Sequence, residues 1–273
     1  MGDDDYLGFE PLEGIGIQTF PLCNFVNGNT DLLLIGTIKG LYSYDGKRVS
    51  SVDKDADLYV KSLLQSRIDK SIIFAGLERG GVEIYRNSNG RWEFVSKVNK
   101  HTGGDLTGSV YSLEEDIDGN IWMTTDDPNA LYRLSMSNAD TIVERMDQRS
   151  SLQGKYVTIV KKLDDDLFIG TADGLYRYEK TGDTIVREEK FLSPDLPSAM
   201  TFDNLFMDDD KDVWLSVSSP RNFIYYYPEA EGGSSRRDRH DPLCYPIPSL
   251  PDFEQFKMPL GGKIKEDFRG KYR

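Results

Sequence analysis

Several residue types are scarce in this 273-residue chain, and each scarcity closes a line of interpretation. Cysteine occurs twice, at Cys23 and Cys244, far apart and with no C-x-x-C pair, so neither a zinc knuckle nor a disulfide framework is expected. Both read as buried small residues. Histidine also occurs twice, His101 and His240 in loop-like stretches, so a histidine-based nucleophile triad or zinc site would need each in the right place. No run of about eighteen apolar residues exists, and the opening "MGDDDYLGFE" is acidic rather than a basic region leading into an apolar one. As written, the chain carries no span and no secretion signal. Positive charge is short: 33 Lys and Arg stand against 46 Asp and Glu, a net charge of -13. A phosphate-binding surface needs clustered Lys and Arg, so nucleic acid and anionic membrane are excluded as partners. The one basic cluster, Arg236, Arg237 and Arg239 in "EGGSSRRDRHDP", reads as a solvated loop. There is no G-x-S-x-G elbow and no phosphate-cradling glycine loop, and among so many acidic residues no glycosidase pair stands out. No enzyme activity, metal or cofactor is therefore expected. A long 3.6-residue apolar stripe is also missing, which predicts almost no helix.

The chain repeats itself. "LLLIGTIKGLYSYDG" (32–46), "IIFAGLERGGVEIYRNSNG" (72–90), "NIWMTTDDPNALYRLS" (120–135), "DLFIGTADGLYRYEKTG" (166–182) and "DVWLSVSSPRNFIYYYP" (212–228) share one grammar. Each is an apolar run, a small-residue step, a loop and a second run, usually carrying Tyr. Gly36, Ala75 or Gly76, Thr124, Gly170 and Ser216 mark the step, and the period in the mid-forties is that of a four-stranded propeller blade. In the third unit "SVYSLEED", "NIWMTT", "ALYRLSM" and "TIVERMD" supply four strands rich in Val, Ile, Leu, Tyr and Trp. A β-sandwich also strings short strands together, but it would not repeat one unit five times.

The expected fold is all-β, a β-propeller of four-stranded antiparallel blades forming a single region over 1–273. The blades fall at about 9–55, 56–104, 105–151, 152–198 and 199–259, with a partial blade at 260–273. Residues 229–251, with Gly232, Gly233, Pro242, Pro246, Pro248 and Pro251, read as a long loop off the fifth blade. "DFEQFKMPLG" (252–261) reads as a fourth strand, and "GFEPLEGIG" (8–16) has the same spacing. "KIKEDFRGKYR" matches a first strand, its turn and the opening of a second, so a truncated ring is expected: five complete blades and the start of a sixth.

The units "YSLEEDIDGNIWMTT" with "ALYRL", and "LFIGTADGLYRYE", resemble the two-component regulator propeller repeat, whose pattern runs roughly eD-x-dG-n-iW-iGT and then GLyryd. The resemblance covers five units and the stub "IKEDFRGKY", and is most specific in units three and four. It implies a ligand-sensing or recognition propeller of a bacterial two-component-type signalling protein, extracytoplasmic, with a histidine kinase or other output domain in the full-length chain. The other readings are a free-standing protein-interaction scaffold, and a propeller lyase or hydrolase acting on polysaccharide.

The motif "EDIDGNIWMTT" (115–125) poses the question of a cation loop or a hairpin turn. From Asp116 the oxygens at 1, 3 and 5 of a calcium loop are present (Asp116, Asp118, Asn120), but Gly119 stands at position 4, Ile121 at 6, and Trp122 enters a buried strand. Asp-Gly between apolar runs signals a hairpin, so a turn is expected. Tyr132, Tyr176, Tyr178, Tyr225, Tyr226 and Tyr227 lie in third strands and read as packing between blades before sugar stacking. Propeller topology puts the second-to-third loops and the blade-to-blade connections on one face, where ligand recognition is expected. Those loops carry Lys39, Glu78, Arg79, Asp126, Asp127, Asn129, Asp173 and Arg221 as candidate ligand-binding residues. The expected ligand is a polar molecule such as a glycan fragment, or a partner protein.

Overall fold

The computed structural model describes residues 17–53, 58–101, 106–126, 129–136, 141–188, 201–208, 211–219, 223–227 and 243–246, with Leu12, Glu13 and Ile15. These residues form five sheets of four antiparallel strands, each in simple sequential order. The first holds β1 (Thr19–Asn27), β2 (Thr30–Thr37), β3 (Gly40–Tyr44) and β4 (Val49–Ser51). The second holds β5 (Val60–Gln65), β6 (Ile72–Leu77), β7 (Val82–Ser88) and β8 (Arg91–Val98). The third is β9 (Val110–Glu115), β10 (Ile121–Asp126), β11 (Asn129–Met136) and β12 (Thr141–Arg145). The fourth is β13 (Val157–Leu163), β14 (Asp166–Thr171), β15 (Gly174–Glu179) and β16 (Thr184–Arg187), and the fifth β17 (Thr201–Met207), β18 (Val213–Ser219), β19 (Phe223–Tyr227) and β20 (Leu243–Pro246). The only helical turns among the described residues are two three-residue 3-10 segments, Asp147–Arg149 and Lys180–Gly182.

Successive sheets meet through their first strands, β1 against β5, β5 against β9, β9 against β13 and β13 against β17. Four sequential strands per sheet, joined first strand to first strand, make a β-propeller. Its apolar cores lie between blades. Phe25, Leu34 and Leu41 of the first blade meet Val60, Ile73, Ala75 and Leu77 of the second. Ile72, Phe74 and Ile84, on the other face of that second sheet, meet Val110, Ile121 and Met123. Trp122 and Leu131 meet Val160, Ile169 and Tyr176, and Leu163 and Phe168 meet Phe202, Leu205 and Leu215. A second strand covered on both faces cannot alternate apolar and polar, so it reads as an unbroken apolar run; all six residues of β6 are buried.

The small-residue step has a steric cause. A Cβ on Gly36 would come 2.8 Å from Val60 Cγ1, one on Gly76 2.8 Å from Val110 Cγ1, and one on Gly170 2.8 Å from Phe202 Cβ. In each case the added atom is caught between the first strand of its own blade (Pro21, Ser62, Ile159) and the inner strand of the next. Gly76 pairs with Ser62 as Thr124 pairs with Ser112, so Gly76 rather than Ala75 holds the position in the second unit.

One strand differs from expectation. The fourth strand of the fifth blade is Leu243–Pro246, which pairs with β19 inside the 229–251 segment read as a loop. Prolines crowd that segment, but among the described residues β20 pairs only with β19, and an edge strand tolerates a missing N–H donor. The strand expected at 252–261, the partial blade at 260–273 and most of 8–16 lie outside the described residues.

Candidate functional site

On the face of the first-to-second turns, the Asp116 carboxylate is fully engaged. Its Oδ1 accepts from the backbone N–H groups of Asp118 and Asn120, both at 2.9 Å. Its Oδ2 accepts from Asn120 Nδ2 at 2.9 Å and from Trp122 Nε1 at 2.8 Å. Gly119, at φ +85°, supplies the left-handed residue the turn needs. Asp208 repeats the device with Asp212 N and Trp214 Nε1, again six residues on. The motif is a turn brace, in which the carboxylate closes the hairpin and anchors a Trp ring. Ion pairs cross between blades on this face: Lys180 Nζ, in the turn after β15, to Asp118 Oδ1 at 2.7 Å, and Lys211 Nζ to Asp164 Oδ1, from one first-to-second turn to another, at 2.9 Å. A cleft of about 410 Å³ opens here between the third and fourth blades, lined by Asp118, Asp165, Asp166, Arg177, Tyr178 and Lys180. Its lining is acidic, with Asp116, Asp118, Asp165, Asp166 and Glu179 against Arg177 and Lys180; Lys180 pairs with Asp118, and Arg177 with Glu179 and Glu188.

The second-to-third loops lie on the other face with the incoming blade connections. Bonds between the two prove it: Glu78 N donates to Tyr59 O and Ala172 N to Tyr156 O, 2.8 and 2.9 Å. Lys39 and Arg79 are exposed loop residues on that face. Glu78 sits 3.7 Å from Lys61 Nζ, and its carbonyl accepts from Ser109 Oγ at 2.6 Å. Asp126 ends β10, and its Oδ1 accepts from Ser109 N at 2.6 Å, capping the entry to β9. Asn129 opens β11 and clamps β13 in both directions, Nδ2 to Val157 O at 2.9 Å and Val157 N to Oδ1 at 2.7 Å. Asp173 pairs with Lys155 and accepts from Thr171 Oγ1 at 2.7 Å. Burial opposes the charge on Asp173, but the Lys155 ammonium and the Thr171 hydroxyl outweigh it and hold the carboxyl below its ordinary value. Asp127 and Arg221 lie outside the described residues. Asp126, Asn129 and Asp173 thus fasten loops to blade connections, which their sequence positions did not announce. Cys23 is half-buried rather than buried, and burial pushes its thiol up.

Where the inner strands open onto this face, aromatic side chains gather. Lys61 and Tyr111 each stand one residue before a serine that bonds to the next blade (Ser62, Ser112), and Phe20 one residue before Pro21, which faces Gly36. Lys61 Nζ lies 4.0 Å from the Tyr59 ring centroid, 4.7 Å from that of Phe20 and 5.6 Å from that of Tyr111. The Phe20 and Tyr59 rings are 5.0 Å apart. Burial pulls against the Lys61 charge, yet the Tyr59 hydroxyl, with Tyr111 and Glu78, raises the ammonium above its ordinary value. Phe20 is 39% exposed, Tyr111 49% and Tyr156 57%. By contrast, Tyr132 and Tyr176 of the third strands are buried, and Tyr178 packs 4.7 Å from Trp122, so these three serve packing. Tyr225, Tyr226 and Tyr227 have side chains outside the described set. The sequence signal for the exposed rings was slight: an aromatic at the start of a first strand, which is exposed only because first strands are innermost.

Residues 104–127 match the two component regulator propeller family, within the third unit, one of the two whose sequence pattern is most specific. No curated protein matches the chain. Among solved structures, the extracellular domain of the proposed hybrid two component system BT4673 from B. thetaiotaomicron is 19% identical, with a TM-score of 0.57 over 80% of this chain and 27% of that one. The corresponding domain of BT3049 from the same organism is 15% identical, with a TM-score of 0.57 over 84% of this chain and 31% of the other. Virginiamycin B lyase from Staphylococcus aureus is 13% identical, with a TM-score of 0.54 over 88% of this chain and 73% of the lyase. At these identities the shared property is the propeller fold. The chain spans less than a third of the two extracellular domains.

Proposed function

We propose that the chain is a non-catalytic recognition propeller from the sensing region of a bacterial two-component-type signalling protein. The observation that carries this reading is the regulator-propeller repeat at 104–127, set in a five-blade fold shared with the extracellular domains of BT4673 and BT3049. An extracytoplasmic setting and a downstream kinase or other output domain belong to the same proposal. So do further blades: Leu22 and Val26 on β1 and Phe206 on β17 are more than half exposed, on the sides of the first and last described sheets that turn away from their neighbours. The recognition surface is the face of the second-to-third loops, carrying Lys39, Glu78 and Arg79, with Asp127 and Arg221 kept as candidates. Asp126, Asn129 and Asp173 hold that surface in shape. The ligand is a polar molecule or a partner protein.

The full reading frame of the gene tests this directly. It is expected to encode more repeats, a membrane-spanning segment and a signalling output domain in frame with residues 1–273. A frame coding for none of these would contradict the sensor reading and favour a free-standing interaction scaffold.

A further inference from the structure

We propose that the cleft between the third and fourth blades, on the face of the first-to-second turns, docks a basic segment of a partner protein, taking arginine or lysine side chains together with an apolar neighbour. This surface lies opposite the recognition loops, so the proposal goes beyond the recognition reading and does not rest on it. Shape comes first: a concavity of about 410 Å³ between two blades has the size of sites that take ligands. Two large apolar side chains meet water at its edge. Ile117, on the cleft wall, is 55% exposed. Ile68 of the second blade, 65% exposed, rests against the same turn, its Cδ1 2.7 Å from where a Cβ on Gly119 would stand. Hairpin turns need no isoleucine, and two of them on adjoining turns make a joint apolar edge for a partner to cover, unlike apolar residues scattered singly.

Charge identifies the partner. Asp116 is spent inside its own turn, but Asp118, Asp165, Asp166 and Glu179 also line the cleft, against Arg177 and Lys180. Asp165 lies 3.7 Å from Lys162 and Asp166 3.9 Å from Arg177, near the outer limit of an ion pair, and both carboxylates are at least half exposed. A cleft lined by one sign of charge draws the opposite sign to it. Among the described residues no three metal-ligating groups close on one point, so the carboxylates are spread out to meet separate cations rather than gathered around a single ion. Arginine and lysine carry apolar stems beneath their charged heads, which suits carboxylates set beside isoleucine. A guanidinium adds paired hydrogen bonds to a carboxylate, which fixes the docked segment in one register.

Fluorescence anisotropy of the purified chain with labelled heptapeptides tests the proposal, one peptide alternating Arg and Leu, one Arg and Ser, and one Glu and Leu. The Arg–Leu peptide is expected to bind, the Arg–Ser peptide to bind more weakly and the Glu–Leu peptide not to bind. Asp165→Asn combined with Asp166→Asn, and separately Ile117→Ser, are each expected to weaken the Arg–Leu peptide on the order of tenfold. Asp31→Asn combined with Glu93→Gln removes the same charge from exposed positions on the first two blades and is expected to leave that affinity unchanged. Exposed ion pairs contribute little, so the Asp165, Asp166 variant is expected to keep its melting temperature, and its lost binding then reads the site and not the fold. Ile117→Ser, at an exposed turn position, reads the same cleft independently. Equal losses in the two charge-removing variants would reduce the effect to net charge and overturn the proposal, as would an affinity indifferent to Ile117. Spermine bound through Asp165 and Asp166, with no advantage for the leucine-bearing peptide, would overturn it in favour of a small polycation. A ligand of the loop face is expected to bind the Asp165, Asp166 variant unchanged, so failure here is distinguishable from failure of the recognition reading.

Discussion

Ser62, Ser112 and Thr158 perform one task in three successive blades. Each hydroxyl on an inner strand donates to a carbonyl on the inner strand of the next blade: Ser62 to Val110 at 2.7 Å, Ser112 to Val160 at 3.0 Å, and Thr158 to Phe202. Buried hydrogen bonds of this kind contribute about 1 kcal/mol net, and an acceptor left without its donor costs more. Ser112→Ala is therefore expected to lower stability by about 1–2 kcal/mol in urea denaturation; an unchanged midpoint would show that the bond contributes nothing. The glycine facing this staple leaves no room. Gly170→Ala drives a methyl against Phe202 and Ile159, and is expected to cost about 1–3 kcal/mol, as overpacking does. Gly28→Ala has open space and meets only the strain of φ +60°, about 1 kcal/mol, so its melting temperature should fall less. The pair of Lys155 with Asp173 predicts a pH dependence. The Asp173 carboxyl is held below its ordinary 3.8, so its contribution is present above that pH and lost as pH falls through the folded value. The Lys155 ammonium, bonded to Asp173 and Tyr176, is raised above 10.5, so its contribution is present below that pH and lost as pH rises through its folded value. The stability gap between the protein and its Asp173→Asn variant should thus stay flat from about pH 5 to 9 and close below pH 4. A gap that persists at pH 2 would assign the effect to something other than charge.

At the scale of the element, the first-to-second hairpins carry the clearest sequence signature and the simplest meaning. Asp116 accepts four hydrogen bonds, one of them from the indole of Trp122, which is itself wholly buried. Asp116→Ala strands those donors and is expected to cost about 2–3 kcal/mol, with a red shift of tryptophan emission. Asp118, half-exposed and paired with Lys180 across the surface, is expected to cost no more than about 1 kcal/mol when replaced by Ala. Millimolar calcium should leave the melting temperature unchanged; a rise abolished by Asp116→Ala would restore the cation reading. Strands, period and small-residue step were legible because burial on both faces forces unbroken apolar runs, and because blade contact excludes a side chain at one fixed point. β20 was not, since proline-rich composition hides an edge strand. The tasks of Asp126 and Asn129 were hidden too. Their partners Ser109 and Val157 lie 17 and 28 residues away in sequence and come close only once blades stack.

For the whole molecule, the two faces of the propeller differ in kind. Ion pairs between blades cross the face of the first-to-second turns, and the cleft described there is acidic, with five carboxylates against Arg177 and Lys180. The opposite face gathers loops of different charge and length around exposed rings on the inner strands. A repeat conserves its fastenings and varies its loops, which is why the fold could be read from the pattern while the binding surface needed the packed blades. The account stands on which face recognises the ligand. Hydrogen–deuterium exchange of the purified protein, with and without a saturating ligand taken from a thermal-shift screen of oligosaccharides and peptides, measures this. Protection is predicted at the loops and connections around 37–40, 77–81 and 171–174 and at the strand entries around 18–20, 58–61 and 109–111. Protection confined to the turns at 116–120 and 164–166 and the cleft between the third and fourth blades would contradict it.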